Sequence, residues 1–149
     1  MPAPDAPKDL AGAGVLTRTA PSAQHNADIA FGMPIVRRLS DLNIGQAIAV
    51  KEREVIAVEA IEGTRAMIGR AGLLCPAGKW LLMTVARRPG VDAPDYPCVG
   101  VDTIEQLKAH GGTCLAVEAN RVFLLERDSL FASAERAGIA IVGVAPQGG

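Results

Sequence analysis

The chain has 149 residues, 49% of them hydrophobic, and its 15 basic and 16 acidic side chains leave a formal net charge of −1. A chain of this length forms one domain that buries about two-thirds of its unfolded surface. The balanced charge gives no footprint for nucleic acid or an anionic membrane, and 3% aromatics leave little for base stacking.

Residues 1–14 are rich in Pro, Ala and Gly and read as a flexible tail or interdomain linker, with the folded domain expected over 15–146. Nothing at this end has the basic start and apolar centre of a signal peptide. No apolar run reaches the roughly 18 residues of a membrane span. Pro21-Ser22 makes a turn and an N-cap, and apolar residues from Ile29 to Leu42 recur at helical spacing over 27–42. Pro34 interrupts that pattern, which predicts two short helices or a kink. Strands follow over 47–51 and 55–60, joined by a charged turn at 51–54, and a helix is expected from Thr64 to a stop at Gly72. A strand over 80–86 leads into the proline-rich stretch around 89–100, expected to be irregular. The remaining chain reads as helix 102–110, strand 114–118, a turn at Asn120, strand 122–125, helix 128–137, a stop at Gly138 and strand 139–144.

Two stretches repeat: IAVKEREVIAVE at 48–59 aligns with LAVEANRVFLLE at 115–126, and the helices that follow end in the same Arg-Ala-Gly triplet. The expected architecture is therefore a single α/β domain with one mixed sheet, built from two pseudo-repeated helix–strand–hairpin–strand–helix–strand units. Cys75, Cys98 and Cys114 have no C-x-x-C spacing and fit packing in a reducing compartment, so the cytoplasm is the expected location.

Chemistry concentrates after the first copy. Glu62-Gly63-Thr64 at a helix start either cradles a phosphate with exposed amides or is a capping turn. Arg87 and Arg88 either neutralise a diphosphate or form a solvated strand end. Asp92 and Asp95, on a proline-flanked loop, either hold Mg²⁺ or Mn²⁺ through hard oxygens or form turns. Together these groups point to a metal-assisted phosphoryl site. His25 and His110 are isolated, and no P-loop, G-x-S-x-G or dinucleotide fingerprint is present.

The segments GVLTRTAPS, ADIAFG, LNIGQAIAVKEREVIAVEAIEGTRAMIGRAG, RPGVDAPDYPCVGVDT and CLAVEANRVFLLERDSLFASAERAGIAIVG resemble the C-terminal domain of the LpxI-type UDP-2,3-diacylglucosamine pyrophosphatases. The resemblance implies a divalent-metal-dependent split of a lipid-linked UDP-sugar into the lipid monosaccharide 1-phosphate and UMP. It places the family's important acid at Asp95, a second aspartate at Asp92, and motif residues at Gln46, Glu59, Glu62 and Thr64. It implies a partner supplying the N-terminal domain as a separate chain, or a homodimer, and peripheral contact with the inner membrane through the substrate. Arg65 and Val91 stand where the family carries a carboxylate and a glutamine. The alternative expectation is a diverged, non-catalytic ligand-binding or scaffold module.

Overall fold

The computed structural model describes residues 9–87 and 96–145. Within them a six-stranded mixed sheet has the order β1-β8-β6-β4-β2-β3. Its strands are β1 (Gly14–Val15), β2 (Ala47–Lys51), β3 (Glu54–Val58), β4 (Trp80–Thr84), β6 (Gly112–Glu118) and β8 (Ala140–Val144). β4, β6 and β8 run parallel; β2 is antiparallel to both β4 and β3, and β1 is antiparallel to β8. A separate two-stranded parallel sheet joins β5 (Cys98–Val99) to β7 (Phe123–Leu124).

The central strands are apolar at nearly every position because both sheet faces are covered. Successive side chains point to opposite faces. Ala47, Ala49, Trp80, Leu82, Leu115, Val117, Ile139 and Ile141 belong to one core. There they meet α2 (Thr64–Leu74), α3 (Val101–His110) and α4 (Arg127–Ala137). Ile48, Val50, Leu81, Met83, Cys114, Ala116, Ala140 and Val142 belong to the other core, which is closed by α1 (Ala23–Asp41) through Ile29, Met33 and Val36. The domain is α/β, in three layers.

α1 starts where expected. The Ser22 hydroxyl accepts from the His25 N–H at 3.0 Å, and His25 Nδ1 accepts from the Ser22 N–H at 3.3 Å, a capping box with histidine in the third position. The helix continues through Pro34 as one 19-residue element, so the expected pair of short helices does not form. At its buried side, Asp28 is only 1% exposed and accepts from the N–H groups of Glu52 and Arg53, at 3.1 and 2.7 Å. Those two residues hold left-handed φ of 50° and 59°, the geometry of a tight hairpin turn, so the carboxylate fixes the β2–β3 connection from across the sheet.

Other expectations need correction. α2 does not stop at Gly72 but runs to Leu74. A Cβ at Gly72 would lie 2.8 Å from His110 Cβ, so this glycine lets α2 and α3 approach. The stretch containing Cys98 and Val99, expected to be irregular, supplies β5.

The repeated sequences also take different structures. After β2 the chain turns back at once and pairs as β3 on an open sheet edge. β6 is already flanked by β4 and β8, so a returning strand has no edge to join. The Asn120 and Ala11 backbones turn it away instead: Asn120 N–H donates to Ala11 O, Ala11 N–H donates to Val122 O, and β7 pairs with β5. The expected second hairpin is absent from the main sheet, and the two halves are not structural copies. Within the stretch read as tail, Ala11 is fully buried and Gly14 begins β1; residues 1–8 lie outside the described range.

Candidate functional site

The parallel strands β4, β6 and β8 end at one edge of the sheet. β2 begins there and β3 ends there, since Ala47 pairs with Thr84 and Glu59 N–H donates to Ala47 O at 2.9 Å. α2, which links β3 to β4 across one face, presents its N-terminus at the same edge. Such edges collect ligands in open α/β sheets, because loops and helix N-termini converge outside the carboxyl ends of the strands.

A cleft of about 210 Å³ opens there. Ser40, Asn43, Ile44, Gly45, Gln46, Glu59, Ala60, Ile61, Gly63 and Arg87 line it. Of the residues singled out in sequence, Gln46, Glu59, Gly63 and Arg87 meet in this one space, although 41 positions separate the first from the last. Thr64 reaches it indirectly, through Glu59. Arg88, Asp92 and Asp95 lie outside the described residues, in the chain that continues directly from Arg87.

Glu59 organises the floor. One carboxylate oxygen accepts from the Gln46 N–H at 3.1 Å and the other accepts from the Thr64 hydroxyl. Both oxygens are thus engaged inside the protein, and the carboxylate joins the start of β2 to the start of α2. The Thr64 hydroxyl points to Glu59 and is not offered to a ligand. Gln46 contributes its side-chain Nε2, a buried donor with no hydrogen-bond partner among the described residues.

Glu62 braces the turn that precedes α2. Its carboxylate accepts from the Ala60 N–H at 2.8 Å and binds Arg70 on the outer face of α2. Its own N–H and that of Ala60, with Arg70 adding its charge, hold the group below the ordinary carboxylate range. Gly63, the residue before α2, has φ of +91°, and nothing lies within 4 Å of where a Cβ would sit. The α2 N-terminus carries no side-chain cap, which leaves its first amides without a side-chain acceptor, at the positive end of the helix dipole and next to Gly63 of the cleft.

Arg87 stands opposite, exposed at the end of the β4 extension. Sequence reading missed what lies behind it. Glu118, at the end of β6 and 1% exposed, accepts from the Ala86 N–H at 3.1 Å and pairs with Arg37 of α1. Arg37 and Ser40 both donate to Ala86 O, at 3.1 and 3.3 Å. The signal was present: Glu118 is the one charged residue closing an otherwise apolar run, at the end where ligands gather.

A cleft with an uncapped helix N-terminus, an arginine and an unpaired amide donor suits an anion with several oxygens. Its donors do not fit a divalent metal. Among the described residues no three His, Cys, Asp or Glu are grouped to hold an ion, and the oxygens of Glu59 are already bonded. At the opposite edge a larger groove of about 650 Å³ is lined by Ser22, His25, Lys51, Lys79 and Thr113, with no candidate residue of the first group in it. Among the described residues no helix is long and apolar enough to cross a membrane.

Residues 12–142 match the family model described as the LpxI C-terminal domain. The chain is also 35% identical, over 144 residues, to the UDP-2,3-diacylglucosamine pyrophosphatase LpxI of Caulobacter vibrioides. That alignment covers 90% of this chain and 50% of the relative, so the chain spans half the length of the protein it matches.

Proposed function

This chain belongs to the LpxI C-terminal domain family, and we propose that it provides the diphosphate-binding half of a UDP-2,3-diacylglucosamine pyrophosphatase. The observation that carries the reading is the convergence of Gln46, Gly63 and Arg87 on one cleft at the uncapped N-terminus of α2. The Arg87 guanidinium neutralises a phosphate charge, the α2 amides receive its oxygens, and the Gln46 amide fixes one of them. Glu59 and Thr64 hold the floor on which these donors sit. The products are the lipid monosaccharide 1-phosphate and UMP, and the chain meets its lipid-linked substrate at the membrane surface.

Mg²⁺ or Mn²⁺ belongs to the same proposal through Asp92 and Asp95, whose carboxylates continue the chain from Arg87 and supply the hard oxygens such ions take. The described cleft offers donors and no unengaged carboxylate, so no hydrolytic step is assigned to it. That favours a second reading, a module that binds the diphosphate without cleaving it. A separate polypeptide corresponding to the other half of the relative distinguishes the two.

The test follows UMP release from UDP-2,3-diacylglucosamine with Mn²⁺ or Mg²⁺. This chain is assayed alone and mixed with the N-terminal half of the Caulobacter protein. Turnover in either sample that falls at least tenfold in Arg87→Ala, about the effect of one ionic contact to phosphate, supports the enzyme. UDP binding without UMP in any combination supports the module. No UDP binding at all refutes both.

A further inference from the structure

Ala86 lies two residues beyond Thr84, the end of β4, past the last bond to the neighbouring strand from Val85 N–H to Gln46 O, and it is fully buried. Its N–H and C=O therefore need partners from elsewhere. They receive them from charged side chains on two other elements: Glu118 of β6 takes the N–H, while Arg37 of α1 donates to the C=O and pairs with Glu118. Ser40 adds a second donor to the same carbonyl.

A hydroxyl or a backbone group would satisfy Ala86 without burying a carboxylate, and an ion pair this deep is weak evidence for stability alone. What the arrangement does fix is direction. Arg87 is the next residue, it is exposed, and among the described residues it forms no ion pair. Its entry into the cleft is therefore set by the backbone that carries it, and that backbone is gripped on both polar groups of Ala86.

We propose that Glu118 and Arg37 are positioning residues that clamp the Ala86 backbone and thereby aim Arg87 at the anion bound in the cleft. This rests on the reading of the cleft as a diphosphate site. Neither residue touches the ligand; both act through Arg87. Glu118→Gln keeps one acceptor but places an amide N–H against the guanidinium, so the hold on Ala86 or on Arg37 is lost. Arg37→Lys keeps the charge but not the fork that reaches Glu118 and the carbonyl together.

UDP affinity measured by calorimetry, in a double-mutant cycle with Arg87→Ala, tests the assignment. Circular dichroism first confirms that each variant is folded. If one of the two clamp variants does not fold, the other decides the matter. The expected result is an affinity loss of about tenfold for Glu118→Gln and for Arg37→Lys in the parent, and no further loss when either is added to Arg87→Ala. Equal losses with and without Arg87 would mean a merely structural role, and no loss in the parent would mean that the clamp does not aim the side chain. Either result overturns the inference. A parent chain that does not bind UDP fails differently, by removing the site itself.

Discussion

Replacing Glu59 by alanine removes the acceptor of two donors at once, the Gln46 N–H at 3.1 Å and the Thr64 hydroxyl. A hydrogen bond to a charged group contributes about 1.5–3 kcal/mol. Gln46 and Thr64 are each only part-buried, so water reaches the orphaned donors and the low end applies. The loss is then about 3 kcal/mol for the two together. With a urea m-value of about 2 kcal/mol/M for a domain of this size, the unfolding midpoint falls by about 1.5 M. Glu59→Gln keeps an oxygen for the Gln46 N–H, and the Thr64 hydroxyl can turn to accept from the new amide. Its expected cost is below about 1 kcal/mol. Urea titration followed by circular dichroism measures both. An alanine variant within about 0.3 M of the parent, or a glutamine variant as damaged as the alanine one, refutes the assignment of Glu59 to the floor of the cleft.

A Cβ at Gly45 would sit 1.8 Å from Glu59 O, a backbone atom that no rotamer change can move, whereas Gly63 faces open space and objects only through its positive φ. Thermal melts should therefore show Gly45→Ala losing at least about 3 kcal/mol and Gly63→Ala about 1–2 kcal/mol; equal losses would show that Gly45 is not held against Glu59. Burial holds the His25 ring below its ordinary value of 6.5, against the opposing pull of Asp28. The unfolded chain then takes up the proton first, so stability is full above 6.5 and declines as pH falls from there toward the folded value. His25→Gln keeps the capping acceptor and should flatten urea midpoints between about pH 7.5 and 5.5, while the Glu62 contribution, set in its lower range, stays; an unchanged slope would exclude His25 as its source. Burial raises the Cys114 thiol to about 12, and Cys98 is exposed. Iodoacetamide should modify Cys98 in the folded protein and Cys114 only on unfolding, and mass spectrometry that finds Cys114 labelled early contradicts the packing described.

Periodicity revealed the sheet because its physical cause is local. Strands such as Trp80–Thr84 must satisfy two apolar faces at once, and every residue says so. The β2–β3 turn was legible for a similar reason, although the carboxylate that fixes it, Asp28, belongs to a helix 24 residues earlier and gave no local sign. The second hairpin failed because pairing depends on whether a strand has an unoccupied edge, which no sequence repeat records. Gly72 looked like a helix stop because a glycine needed for close helix packing reads the same as one needed for chain reversal. Four of the cleft residues were found from motif and resemblance. Glu118 and Arg37 were not, since their meaning lies in a contact with the backbone of a third element.

The pairing of β1 with β8 has a practical consequence. Because Gly14 lies opposite Gly143, the chain enters β1 and leaves β8 at the edge where the cleft opens. A tether inserted beside Gly14 or Val144 would share that edge with the cleft. The Glu52-Arg53 turn and the Pro76-Ala77 connection lie at the far edge, where β2 ends and β4 begins. Those are the attachment points from which an immobilised or fused protein would present its cleft to solution.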